Sequence, residues 1–75
     1  MTRLPAVAGK AVISALCRDG WVIRGHRGSH VKLEKSGSKY PIIVPVHGNE
    51  TIPKGTLRNI IRIAGLTAEE FIKLC

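Results

Sequence analysis

Ser29-His30-Val31-Lys32-Leu33-Glu34-Lys35 alternates between the two faces of an extended chain. Alternation of this kind marks a β-strand with one side buried and one side wet. Val31 and Leu33 then face a core, with Ser29 leaning to the same side. His30, Lys32 and Glu34 face outward. Gly28 stands just before the strand, where a residue without a Cβ lets the chain turn tightly or lets a ligand come close. Arg24, His26 and Arg27 lie immediately upstream. The stretch offers one titratable imidazole, held on a strand, in a positive neighbourhood, and attack on a phosphodiester needs those features.

The flanking segments supply partners for this strand. Residues 21–24 form a short first strand, with Trp21 and Ile23 assigned to the core and Val22 and Arg24 to the outside. His26-Arg27-Gly28 makes the turn between the two. Ser36-Gly37-Ser38-Lys39 is a hairpin connection into a third strand, residues 40–46. Pro41 and Pro45 cannot donate ladder hydrogen bonds, so this strand belongs at a sheet edge.

Helical spacing appears on both sides of the strands. Residues 8–19 read as a first helix, with Val12, Ile13, Leu16 and Cys17 as its apolar face and Lys10, Ser14 and Arg18 on its wet side. Cys17 is thereby a small core residue. Gly20 suits the left-handed position that ends a helix, while Ala8 or Gly9 makes a poor N-cap. Residues 1–7 read as a loose lead-in broken by Pro5. After the loop His47-Gly48-Asn49-Glu50, a second helix covers residues 53–64. Pro53 opens it favourably, and Leu57, Ile60, Ile61 and Ala64 follow the i, i+3, i+4, i+7 template. Gly65 closes it. Thr67 and Glu70 form a capping box for a last short helix, residues 68–74, which Phe71 and Leu74 pack back on the core. Cys75 then frays at the end.

The order predicts an α+β fold, α-β-β-β-α, with both main helices on one face of a three-stranded antiparallel sheet and a short C-terminal helix. His30 and Lys32 lie on the open face. Residues 1–75 are expected to form one domain, and a domain of 75 residues buries only about 60% of its unfolded surface. Little room remains for a deep cofactor pocket, and no cofactor is expected.

Twelve Lys and Arg against five acidic residues give a net charge of +7. The surplus points to a polyanionic partner, nucleic acid first and an acidic protein second. Cys17 and Cys75 form no close pair, so no structural disulfide is expected and the chain reads as intracellular. No apolar run can span a bilayer, and the N-terminus has no signal-peptide core. His26 and His30 would suit zinc only on a helix. On an extended chain four residues span roughly 13 Å, too far for one ion. No metal site is expected.

Several motifs recur together. Gly20-Trp21, Arg24, Gly28-Ser29-His30, Val44-Pro45-Val46-His47, Gly55-Thr56-Leu57-Arg58-Asn59-Ile60-Ile61 and Ala64-Gly65-Leu66 stand in that order. In order and spacing the chain resembles the HicA family of toxins, from the first helix to Leu66. The resemblance implies a double-stranded-RNA-binding-domain-like fold and mRNA interferase activity. It implies a catalytic histidine in the Gly-Ser-His motif, at His30, and neutralisation by a HicB-family antitoxin. It also implies a bacterial or phage-derived toxin acting on mRNA in the cytoplasm.

Elementary chemistry agrees with that role. RNA carries its own nucleophile, the 2′-OH. An enzyme must remove that proton, protonate the leaving 5′-oxygen and stabilise the added charge on phosphorus. An imidazole, with a reference pKa of about 6.5, can perform one transfer. His47, His26 and water are the candidates for the other. Lys32, Arg24 or Arg27 can stabilise the charge, while Gly28 and Ser29 shape the approach. Lys54, Arg58 and Arg62 fall at i, i+4, i+8 of the second helix. They form a solvated face, a track for phosphates of single-stranded RNA, or a landing site for antitoxin carboxylates. Gly55 and Thr56 lie in the first turn of that helix, where free N–H groups can hold a phosphate; close packing is the plainer reason for a glycine there. The alternative to an endoribonuclease is a non-catalytic module that reads double-stranded RNA by shape and phosphates. A purely structural role in a protein complex is a further rival.

Overall fold

The computed structural model describes residues 3–75. Helix α1 (Gly9–Arg18) is followed by strands β1 (Val22–Arg27), β2 (His30–Glu34) and β3 (Ile42–Pro45) and by helices α2 (Lys54–Ala64) and α3 (Ala68–Leu74). The strands form one antiparallel sheet in the order β1-β2-β3. Val31 and Leu33 of β2 and Ile42 and Val44 of β3 are buried with Val12, Ala15 and Leu16 of α1 and Leu57, Ile60 and Ile61 of α2. Both main helices therefore cover one face of the sheet. Phe71 joins the same core from α3, whose start carries the expected capping box.

Backbone alternation explains the prolines of β3. The Val46 N–H donates to the Ser29 carbonyl at 2.6 Å. Alternate residues of an antiparallel strand turn their backbone groups to opposite sides. Ile42, Val44 and Val46 thus face β2. Pro41, Ile43 and Pro45 face away from it. Pro45 within β3 and Pro41 just before it each sit where the missing N–H would have pointed out of the sheet, which is why this edge accepts both. Near Pro45 that edge is also covered. Gly9, at the start of α1, lies so close that a Cβ there would collide with the Pro45 carbonyl oxygen and come within 2.9 Å of the Val46 side chain.

The third strand is shorter than residues 40–46, at Ile42–Pro45, and the structure departs from the sequence reading at further points. Cys17 is exposed. At about 100° per residue, a face centred on Val12, Ala15 and Leu16 leaves Cys17 pointing away; Ala15 takes the core position instead. Ile23 is 50% exposed. It pairs with Leu33 and so shares the helix-covered face, but β1 is an edge strand lying beyond the helices. The lead-in is tied down from Leu4, which is buried in the core. Its carbonyl accepts from the Lys54 ammonium, and the Ile52 N–H donates to the Val7 carbonyl at 2.8 Å. The expectation for Met1 and Thr2 lies outside the described residues. Cys75 does not fray freely: its N–H bonds the Ile72 carbonyl at 3.1 Å. Gly55 is not set by packing, since an added Cβ would meet open space.

Candidate active site

β1 runs further than its apolar residues suggested. Arg27 pairs directly with His30, so only Gly28 and Ser29 remain to turn the chain. Gly28 takes φ +58, and among the described residues no non-glycine has positive φ. Glycine at the first corner with positive φ is the pattern of a tight hairpin turn whose twist matches its strands. The turn fixes Arg27 and His30 opposite each other, and a directly paired residue projects on the same face as its partner.

A register shift between Ile23 and Gly25 makes Arg24 a bulge residue. An extra residue shifts the phase of everything after it. Gly25 therefore lies opposite Lys32 and His26 opposite Val31. The shift puts His26 on the helix side of the sheet and His30 on the open side, so these two histidines do not meet.

His47 does meet His30. The Val46–Ser29 bond closes the end of the β2–β3 ladder and delivers the next residue to the same corner. The rings stand edge to face, with centroids 6.4 Å apart and planes at 83°. Both side chains are exposed. Among the basic residues nearby, Lys32 lies 3.5 Å and Arg24 3.8 Å from the carboxylate of Glu34. Arg27 has no acidic partner among the described residues and stands across from His30. Of the three cations that the sequence offered, Arg27 is the one left uncompensated beside the imidazole.

A cleft of about 230 Å³ adjoins His47, lined by Pro45, Glu50, Thr51, Pro53 and Thr56 among others. The sequence pointed to Thr56 through its place in the first turn of α2, but it carried no sign of Glu50 or Thr51. Their place in the lining goes with the Ala8–Thr51 bridge, which holds the loop against the start of α1. The remaining predicted residues lie elsewhere. Lys54 is engaged with Leu4. Arg58 and Arg62 border a shallow depression with Gly55 and Asn59 on the outer side of α2, and Arg62 donates to the Asn59 side chain at 2.5 Å. That positive patch and the His30–His47 corner belong to different layers of the fold. No three His, Cys, Asp or Glu side chains cluster among the described residues, and none of their helices is long and apolar enough to cross a membrane.

The helix-backed three-stranded sheet agrees with what the structure comparison finds. Residues 9–66 match the family described as HicA toxin of bacterial toxin–antitoxin systems, and the chain belongs to that family. A chain from a solved toxin–antitoxin complex of Streptococcus pneumoniae is similar in structure, with a TM-score of 0.63 and 36% sequence identity. The similarity covers 83% of this chain and 100% of that one. No curated protein sequence matches.

Proposed function

We propose that this toxin is an endoribonuclease that cleaves single-stranded regions of mRNA in the cytoplasm, and that a HicB-family antitoxin restrains it. The observation that carries the reading is the pairing of His30 with His47 beside Arg27. A group hydrogen-bonded to an imidazole sits roughly 3 Å from it, so two rings at this separation can flank one phosphodiester. One ring takes the 2′-OH proton, and the other protonates the departing 5′-oxygen. The Arg27 guanidinium stabilises the charge gathered on the phosphorane oxygens. The two imidazoles supply both proton transfers, so the mechanism calls for no metal-bound hydroxide. The tight turn at Gly28 leaves the approach open, with nothing within 4 Å of where its Cβ would lie.

The test is single-turnover cleavage of an end-labelled RNA. Wild type is expected to cut it, and His30→Ala to bind it without cutting. Wild-type protein that binds RNA with a steep salt dependence yet leaves it intact would replace this reading with that of a non-catalytic RNA-binding module.

A further inference from the structure

The two outer edges of the sheet are built differently. Along β3 two prolines and the start of α1 leave Ile43 with the one outward N–H of the strand. Along β1 nothing plays that part. The strand contains no proline, and its six residues are exposed or half-exposed. Since β2 gives the backbone groups of Ser29, Val31 and Leu33 to β3, it gives those of His30, Lys32 and Glu34 to β1. Arg27, Gly25 and Val22 answer them. Ile23 and His26 are left pointing their N–H and C=O away from the sheet, one on each side of the bulge.

We propose that an extended acidic segment of the antitoxin adds to this edge as a fourth strand. The inference rests on the toxin–antitoxin reading above. Main-chain hydrogen bonds to Ile23 and His26 supply the attachment, and alternate side chains of the added strand give it specificity. Val22 and Ile23, 46% and 50% exposed, offer apolar contact on opposite faces of the sheet. Arg27 selects the charge, with Arg24 beside it. Neither His26 nor Arg27 has an acidic partner among the described residues. A second copy of the chain is the wrong occupant, because self-pairing along this edge would bring the Arg24 and Arg27 guanidiniums of two copies together. An acidic strand removes the conflict, and its side chain next to Arg27 lies in the row that holds His30. Binding at the edge thereby closes one side of the candidate active site.

The experiment is amide hydrogen exchange of the toxin, free and in complex with its HicB-family antitoxin. In the free chain Ile23 and His26 should exchange quickly. In the complex both should slow by about tenfold or more, with no comparable change at Ile43. Ile23→Pro removes one outward donor without touching the β1–β2 ladder. It should weaken antitoxin binding by about tenfold or more while RNA cleavage stays at the wild-type rate. If that variant does not fold, Ile23→Glu sets a negative charge against the acidic strand and should act in the same direction. A complex in which Ile23 and His26 exchange as in the free toxin would overturn the inference and leave the toxin–antitoxin reading standing. If no complex forms, both fall.

Discussion

His30 and His47 meet edge to face at 6.4 Å although they stand 17 positions apart in the chain (47 − 30). The β2–β3 ladder brings them together, and its last bond runs from Val46 to Ser29. The corner is therefore a product of strand register, and it needs no loop to close over it.

If the pair works as acid and base, each histidine is required. His30→Ala and His47→Ala should each slow single-turnover cleavage by roughly 10²–10⁴-fold. The double variant should fall little further than either one, because groups that act as a unit are not additive. Both side chains are exposed, so melting curves should report changes of no more than about 0.5 kcal/mol. Full activity in a folded His47→Ala protein would remove His47 from the mechanism.

Two glycine substitutions should move stability in opposite directions. Helix propensity favours Ala over Gly by up to about 1 kcal/mol. At Gly55 nothing opposes that gain, and Gly55→Ala should raise the melting temperature. At Gly9 the new methyl meets the Pro45 carbonyl and Val46, and overpacking costs about 1–3 kcal/mol. Gly9→Ala should therefore lower it. Equal shifts in thermal denaturation would refute the close approach of α1 to β3.

Arg58 and Arg62 border the same depression on α2. If RNA phosphates run there, replacing both with Glu should weaken RNA binding and flatten its salt dependence. Each lost phosphate contact should reduce the slope by about 0.7 on single strands. An unchanged slope would leave the patch as a solvated face.

Cys17→Ser should change stability by no more than about 0.5 kcal/mol, as for other exposed positions, and a thiol reagent should label Cys17 in the native protein. A loss above about 1 kcal/mol on chemical denaturation would return Cys17 to the core.

Elements with strong local signals were legible in the sequence. Leu57, Ile60 and Ile61 bury as their spacing demanded. Gly65 ends α2 at φ +73, and Thr67 and Glu70 cap α3. The outward His30, Lys32 and Glu34 follow from simple alternation. What escaped the reading depends on pairing between distant segments. No local signal reports the bulge at Arg24, because it arises from the mismatch of two strands; yet it decides which face His26 takes. Ile23 has a core residue's chemistry but lies past the reach of the helices. That His47 rather than His26 lies beside His30 was not legible until the β2–β3 register was known. Arg27 stood out from Arg24 and Lys32 only once Glu34 was seen beside the other two.

The prolines of β3 bear on how far this protein can assemble. A sheet that grows without limit needs two sticky sides, one to receive a neighbour and one to offer itself to the next. Pro41 and Pro45 remove donors from one side, and α1 crowds its end. A chain with a single receptive side can be extended once and then stops. Its associations close at small, countable complexes, and the unrestrained toxin has no route through its sheet to a fibre.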